Sequence, residues 1–90
     1  MREYQEKIID AIISRKDWGG SNVVVVTINN VTKVSYYGHT IGVVDHSKRV
    51  AECDHCSFYN TSTTARINAV KMACNKFGYK VTEMYHGRSK

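Results

Sequence analysis

Proline is absent from this chain, and neither an internal repeat nor a low-complexity stretch interrupts it, so no linker or stiff extended segment is marked. Cysteine is scarce. The three residues, Cys53, Cys56 and Cys74, form an odd set with no export signal, which argues against a disulfide framework. No apolar run approaches the ~18 residues that span a bilayer. The first sixteen residues, MREYQEKIIDAIISRK, are charged and amphipathic, unlike the unbroken apolar region of a secretion signal. Catalytic signatures are missing too: there is no G-x-S-x-G, no P-loop and no H-E-x-x-H. The expectation is an intracellular, non-enzymatic protein that uses no cofactor and touches no membrane.

What is present is a globular composition. Ninety residues, 42% hydrophobic and 23% charged, make a single domain over 1–90. A chain of this length buries roughly 60% of the surface its unfolded form exposes, which is enough for one core. The net charge is +5, and it is unevenly spread. Residues 1–45 hold five basic and five acidic side chains, whereas 46–90 hold eight basic and three acidic ones. A one-sided positive field favours an acidic partner, either nucleic acid or an acidic protein surface.

Hydrophobic spacing predicts an opening helix through Tyr4, Ile8, Ile9, Ala11, Ile12 and Ile13, ended by Asp17-Trp18-Gly19-Gly20. Val23–Ile28 is β-branched throughout and apolar on both faces, which reads as an interior strand. Asn29-Asn30 suits a two-residue turn back into Val31–Tyr37. Gly38-His39 turns into Thr40–Val44, and part of Val50–Tyr59 reads as a fourth strand. The period then changes to that of a helix, with Ile67, Val70, Ala73, Cys74 and Phe77 on one stripe. Thr61–Thr64 supplies candidate caps, and Gly78 stands where a closing glycine belongs. Tyr79–Tyr85 alternates as an edge strand, and 86–90 is a polar tail. The expected fold is α+β, an antiparallel sheet of about four strands with two helices on one face, in the order α-β-β-β-(β)-α-β.

Two segments, Tyr37-Gly38-His39-Thr40-Ile41-Gly42 and Thr63-Thr64-Ala65-Arg66-Ile67-Asn68-Ala69, carry a likeness. The chain resembles a family of small bacteriophage domains of unknown function. In these a glycine turn precedes an apolar strand, and a helix opens with T-T-x-x-R-[IL]-N-A after an aromatic, here Phe58 or Tyr59. The likeness covers roughly residues 33–77. The chain departs from the pattern in having Tyr where Trp stands near the cap, and Ala65 where a basic residue is usual. The resemblance implies a phage origin and no particular activity. A phage origin and a small size in turn lead to the expectation of an accessory protein in the host cytoplasm that binds and modulates a host macromolecule. A host-defence inhibitor of the anti-CRISPR kind is one such role.

Each candidate site has a plainer reading beside it. Thr63, Thr64, Arg66 and Asn68 suggest an anion site at a helix start; a cap with a structural arginine is preferred. Cys53-Asp54-His55-Cys56 holds two thiols at zinc spacing. The remaining ligands would have to come from His39, His46, His86 or Cys74, so ordinary thiols are preferred. A redox role would need the motif at a helix start. His39 and His46 lie on either side of Asp45, an arrangement that short polar turns also give. Lys71 and Lys76, on the outward side of the second helix with Asn68 and Asn75, join Lys48, Arg49, Lys80 and the tail as a candidate basic patch. Tyr36, Tyr37, Tyr59, Tyr79 and Tyr85 are candidate stacking surfaces for single-stranded nucleic acid. Trp18 is expected to cover one end of the core; exposed, it would anchor a protein interface. The partner expected first is a host protein, with a small basic nucleic-acid-binding module as the alternative. A homodimer is allowed through the edge strand.

Overall fold

The computed structural model describes residues 2–55 and 60–84. The chain runs α1 (Glu3–Ser14), β1 (Trp18–Gly20), β2 (Val23–Ile28), β3 (Val31–Tyr36), β4 (His39–Asp45), β5 (Val50–Asp54), α2 (Thr61–Phe77) and β6 (Lys80–Met84). Six strands form one sheet in chain order. β1 to β5 are antiparallel neighbours. β6 lies parallel to β5.

This corrects the four-stranded antiparallel sheet expected from the sequence. β1 was hidden in what reads as a glycine turn. Its backbone nonetheless pairs Trp18 with Val25 and Gly20 with Val23. A Cβ on Gly20 would come within 2.8 Å of the Trp18 ring, so glycine is what lets the indole lie along its own strand. β6 was foreseen as an edge strand, but its direction was not. A helix between β5 and β6 returns the chain to the end where β5 began, and a strand laid beside β5 from there must run parallel to it.

Three hairpins are closed by two-residue turns with positive φ at both positions: Ser21-Asn22, Asn29-Asn30 and Tyr37-Gly38. Such turns match the twist of the strands they join, and asparagine and glycine enter that region cheaply. α1 ends at Ser14, three residues before the expected stop. Arg15 takes a left-handed conformation (φ 59°), and the Lys16 N–H donates to the Ala11 carbonyl. α2 is capped by Asn60 rather than by a threonine: its Oδ1 accepts from the Thr63 N–H at 2.8 Å. Gly78 (φ 77°) closes the helix as expected.

The core lies between the helices and one face of the sheet. Ile8 and Ile12 of α1, Ile67, Val70 and Ala73 of α2, and Val25, Val34, Val44 and Cys53 of the sheet are almost wholly buried. Pairing skips Ile41 between Val34↔Gly42 and Ser35↔Thr40, a bulge that turns both Ile41 and Gly42 inward. A Cβ on Gly42 would stand 3.3 Å from both Val70 methyl carbons, so the bulge and the glycine together let α2 settle on β4. No helix among the described residues is long and apolar enough to cross a membrane.

Candidate binding surface

One end of the sheet is built from polar turns and helix C-termini. The β4–β5 turn is fixed by Asp45, whose Oδ1 accepts from the N–H groups of Ser47 (3.0 Å) and Lys48 (3.1 Å). Arg49 closes it with φ 61° and an N–H donated to the Asp45 carbonyl. The Lys80 N–H donates to the Arg49 carbonyl, which ties the start of β6 to this turn. α2 ends here with Lys76 in its last turn. α1 ends here with Arg15, whose Nε donates to Asn30 Oδ1 of the β2–β3 turn at 3.2 Å.

An aromatic pair lies beneath. Phe77 and Tyr79 stack with ring centres 4.8 Å apart. The Arg15 guanidinium lies 5.6 Å from the centre of Phe77 and that of Arg49 lies 5.3 Å from the centre of Tyr79, both within the reach of cation–π attraction. Arg49 also donates to the Phe77 carbonyl at 3.2 Å, which satisfies a group left free at the end of α2. His46 is buried against both rings in a polar chain: Thr27 Oγ1 to Thr32 Oγ1 (2.6 Å), Thr32 Oγ1 to His46 Nε2 (2.9 Å), and His46 Nδ1 to the Tyr79 hydroxyl (3.1 Å). Burial, and then the nearby Arg15, pull the His46 pKa below its usual value, against an opposing pull from Asp45. The imidazole is therefore held neutral, with one ring nitrogen donating and the other accepting.

Six cations thus share one end: Arg15, Lys16, Lys48, Arg49, Lys76 and Lys80, all exposed. Two arginines are fixed on aromatic rings, and the four lysines extend from turns, helix ends and the first residue of β6. Arg15 and Lys16 do not stand out in the sequence as part of this surface, because they lie in the electrically neutral first half of the chain. The topology brings the end of α1 beside the end of α2.

The other candidates lie elsewhere. Arg66 is at the opposite end, buried between Tyr4 (4.2 Å) and Tyr36 (4.3 Å), and donates to the carbonyls of Ser62 (2.9 Å) and Ser21 (3.4 Å). Lys71 is half-buried and pairs with Glu83 of β6. Trp18 is half-buried against the core. Tyr36 holds Arg66, Tyr79 is buried, and the exposed Tyr37 accepts from Asn22 Nδ2 at the far end of the sheet. Thr63 is buried, whereas Thr64 and Asn68 are exposed.

Cys53 is buried in the core. Its thiol is pushed up to about 12 by burial first and by Cys74 next, and burial raises Cys74 to about 11. Neither thiol ionises near neutrality, so neither is poised as a redox nucleophile. Among the described residues no three His, Cys, Asp or Glu side chains gather as a metal site. Cys56, Phe58, Tyr59, Tyr85 and the 86–90 tail lie outside the described residues.

These features define a small α+β domain with both helices on one face of a mixed sheet and a basic end assembled from turns. The family comparison adds the origin. The model of the Kyanoviridae Gp96 protein family matches residues 1–87, and the chain belongs to that phage-associated family, whose function is unknown. No curated protein and no solved structure matches it.

Proposed function

We propose that this phage protein is a non-catalytic binding protein that docks its basic end onto an acidic surface of a host protein and modulates that target by occupying it. The observation that carries this reading is the convergence of Arg15, Lys16, Lys48, Arg49, Lys76 and Lys80 on one end of the fold, with Arg15 and Arg49 held on the Phe77–Tyr79 stack. A guanidinium held in place loses less freedom on meeting a carboxylate and can engage it through two parallel hydrogen bonds. Placement of the tyrosines favours protein over single-stranded nucleic acid. Base stacking needs open aromatic faces beside the cations: the one exposed described tyrosine, Tyr37, is at the other end of the sheet, and at the basic end Phe77 and Tyr79 stack on each other beneath Arg15 and Arg49, with Tyr79 buried. Phage origin and small size fit a host-defence component as the class of target.

The test is capture from a host lysate on the tagged protein, with and without nuclease, repeated with Lys48→Glu, Lys76→Glu and Lys80→Glu combined. The expected result is a host protein retained after nuclease by the wild type and lost by the variant. Nucleic acid as the sole retained species, released by nuclease and at modest salt, would overturn the reading in favour of a nucleic-acid-binding module.

A further inference from the structure

The sheet has a second face, and neither helix covers it. Strand alternation sends Val24, Val26 and Ile28 of β2, Val31 of β3, Val43 of β4 and Val50 of β5 to this side. Ile28 is 64% exposed and Val24 51%. β-Branched residues in a row on an uncovered face are not needed to fold the domain, because the core is already closed on the other side. Val24, Val26, Ile28 and Val31 make an apolar patch at one side, and Val43 and Val50 continue it among Lys33, Asp45 and Glu52; exposed apolar residues set among charges in this way suit an interface.

The charges on this face decide what it fits. In one row across the sheet, Lys33 pairs with Val43 and Val43 pairs with Glu52. The cation and the anion therefore stand one strand to either side of Val43. Consider a two-fold axis lying in the interface and running along β4. It places Val43 against its own copy, Lys33 against Glu52 of the copy and Glu52 against Lys33 of the copy. In the next row, where Ile28, Val31, Asp45, Val50 and Lys80 stand side by side across the sheet, the same axis sets Val31 against Val50 and Ile28 against Lys80, whose apolar stem can cover the isoleucine while its ammonium stays in water at the rim. Asp45 also falls near the axis, but its carboxylate is turned into its own turn, accepting from Ser47 and Lys48. A surface that complements itself under a two-fold rotation is what an isologous dimer requires.

We propose that the uncovered face of the sheet is the interface of a two-fold homodimer, centred on Val43, with Lys33 and Glu52 paired across it in both directions. The area suffices. With the axis on β4, strands β2 to β6 of one copy meet β6 to β2 of the other; five strands at ~4.8 Å spacing and ~20 Å length give about 480 Å² per partner, hence about 1,000 Å² for the pair, the lower bound for a specific interface. An axis along the strands keeps both copies running the same way, so the two basic ends emerge side by side. Of the six basic-end cations, Lys80 alone has a strand position on this face, through its pairing with Val50, and it lies at the rim, so the dimer is tested without reference to what the basic end binds.

Sedimentation equilibrium over a concentration series tests this, with circular dichroism checking each variant's fold. The wild type is expected at twice the 10.2 kDa chain mass. Lys33→Glu alone and Glu52→Lys alone each set like charges across the axis and are expected to weaken the dimer about tenfold or more. Combining them exchanges the two charges and is expected to restore it. A wild type that stays monomeric throughout overturns the proposal. So does a dimer that both single variants leave intact, which would point to pairing along the β6 edge, or a double variant no better than the singles.

Discussion

Arg66 shows how a residue with the chemistry of a binding site can be structural. Its guanidinium is clamped between the rings of Tyr4 and Tyr36 and donates to two carbonyls, on α2 and on the β1–β2 turn. It therefore joins α1, α2 and the sheet at one point. Arg66→Met keeps the stem but removes both stacks and both hydrogen bonds. The expected loss is about 2–3 kcal/mol of stability, read by urea denaturation, with target capture per folded molecule unchanged. His46 is the other residue whose role follows from burial. Its lowered pKa means that the folded state resists protonation while the unfolded chain takes a proton below its ordinary value near 6.5. Stability contributed by neutral His46 is present above about pH 6.5 and is lost as pH falls toward the depressed folded value. Denaturation at pH 7.5 and 5.5 should show the wild type losing stability on acidification and His46→Gln losing less.

At the scale of elements, hydrophobic period carried most of the information. The apolar stripes of α1 and α2 and the β-branched run of β2 are plain in the sequence, and Asn29-Asn30 and Gly78 announce their turns. β1 was not legible because its pairing is made by the backbone, whereas its side chains, one tryptophan and two glycines, read as a turn. The stop at Arg15 was not legible because a non-glycine residue takes the left-handed conformation there. The cap at Asn60 was masked by four hydroxyl residues just after it. It predicts that Asn60→Ala costs about 1 kcal/mol, whereas Thr61→Ala costs little, measurable as a pair of denaturant midpoints. Gly42→Ala should destabilise through its contact with Val70, and Val70→Ala in the same chain should recover part of that loss, a coupling that a double-mutant cycle reads directly.

At the scale of the molecule, the sequence showed the excess of positive charge but not where it gathers. A split by halves placed the whole excess after residue 45. The fold instead draws Arg15 and Lys16 from the first half into the basic end, removes Lys71 into a pair with Glu83, and sends Arg66 to the opposite end. The residues that form the surface are contiguous only once α1 and α2 finish side by side over the turns. The central claim, that this end rather than overall charge binds the target, is tested most directly by comparing two variants of equal net charge. One reverses Lys48 and Lys76 to Glu; the other reverses Arg2 and Lys7, which are exposed at and near the start of α1, away from that end. Affinity for the captured host protein should fall at least about tenfold for the first and stay within about twofold for the second at 0.15 M salt. Equal losses in the two would contradict the account.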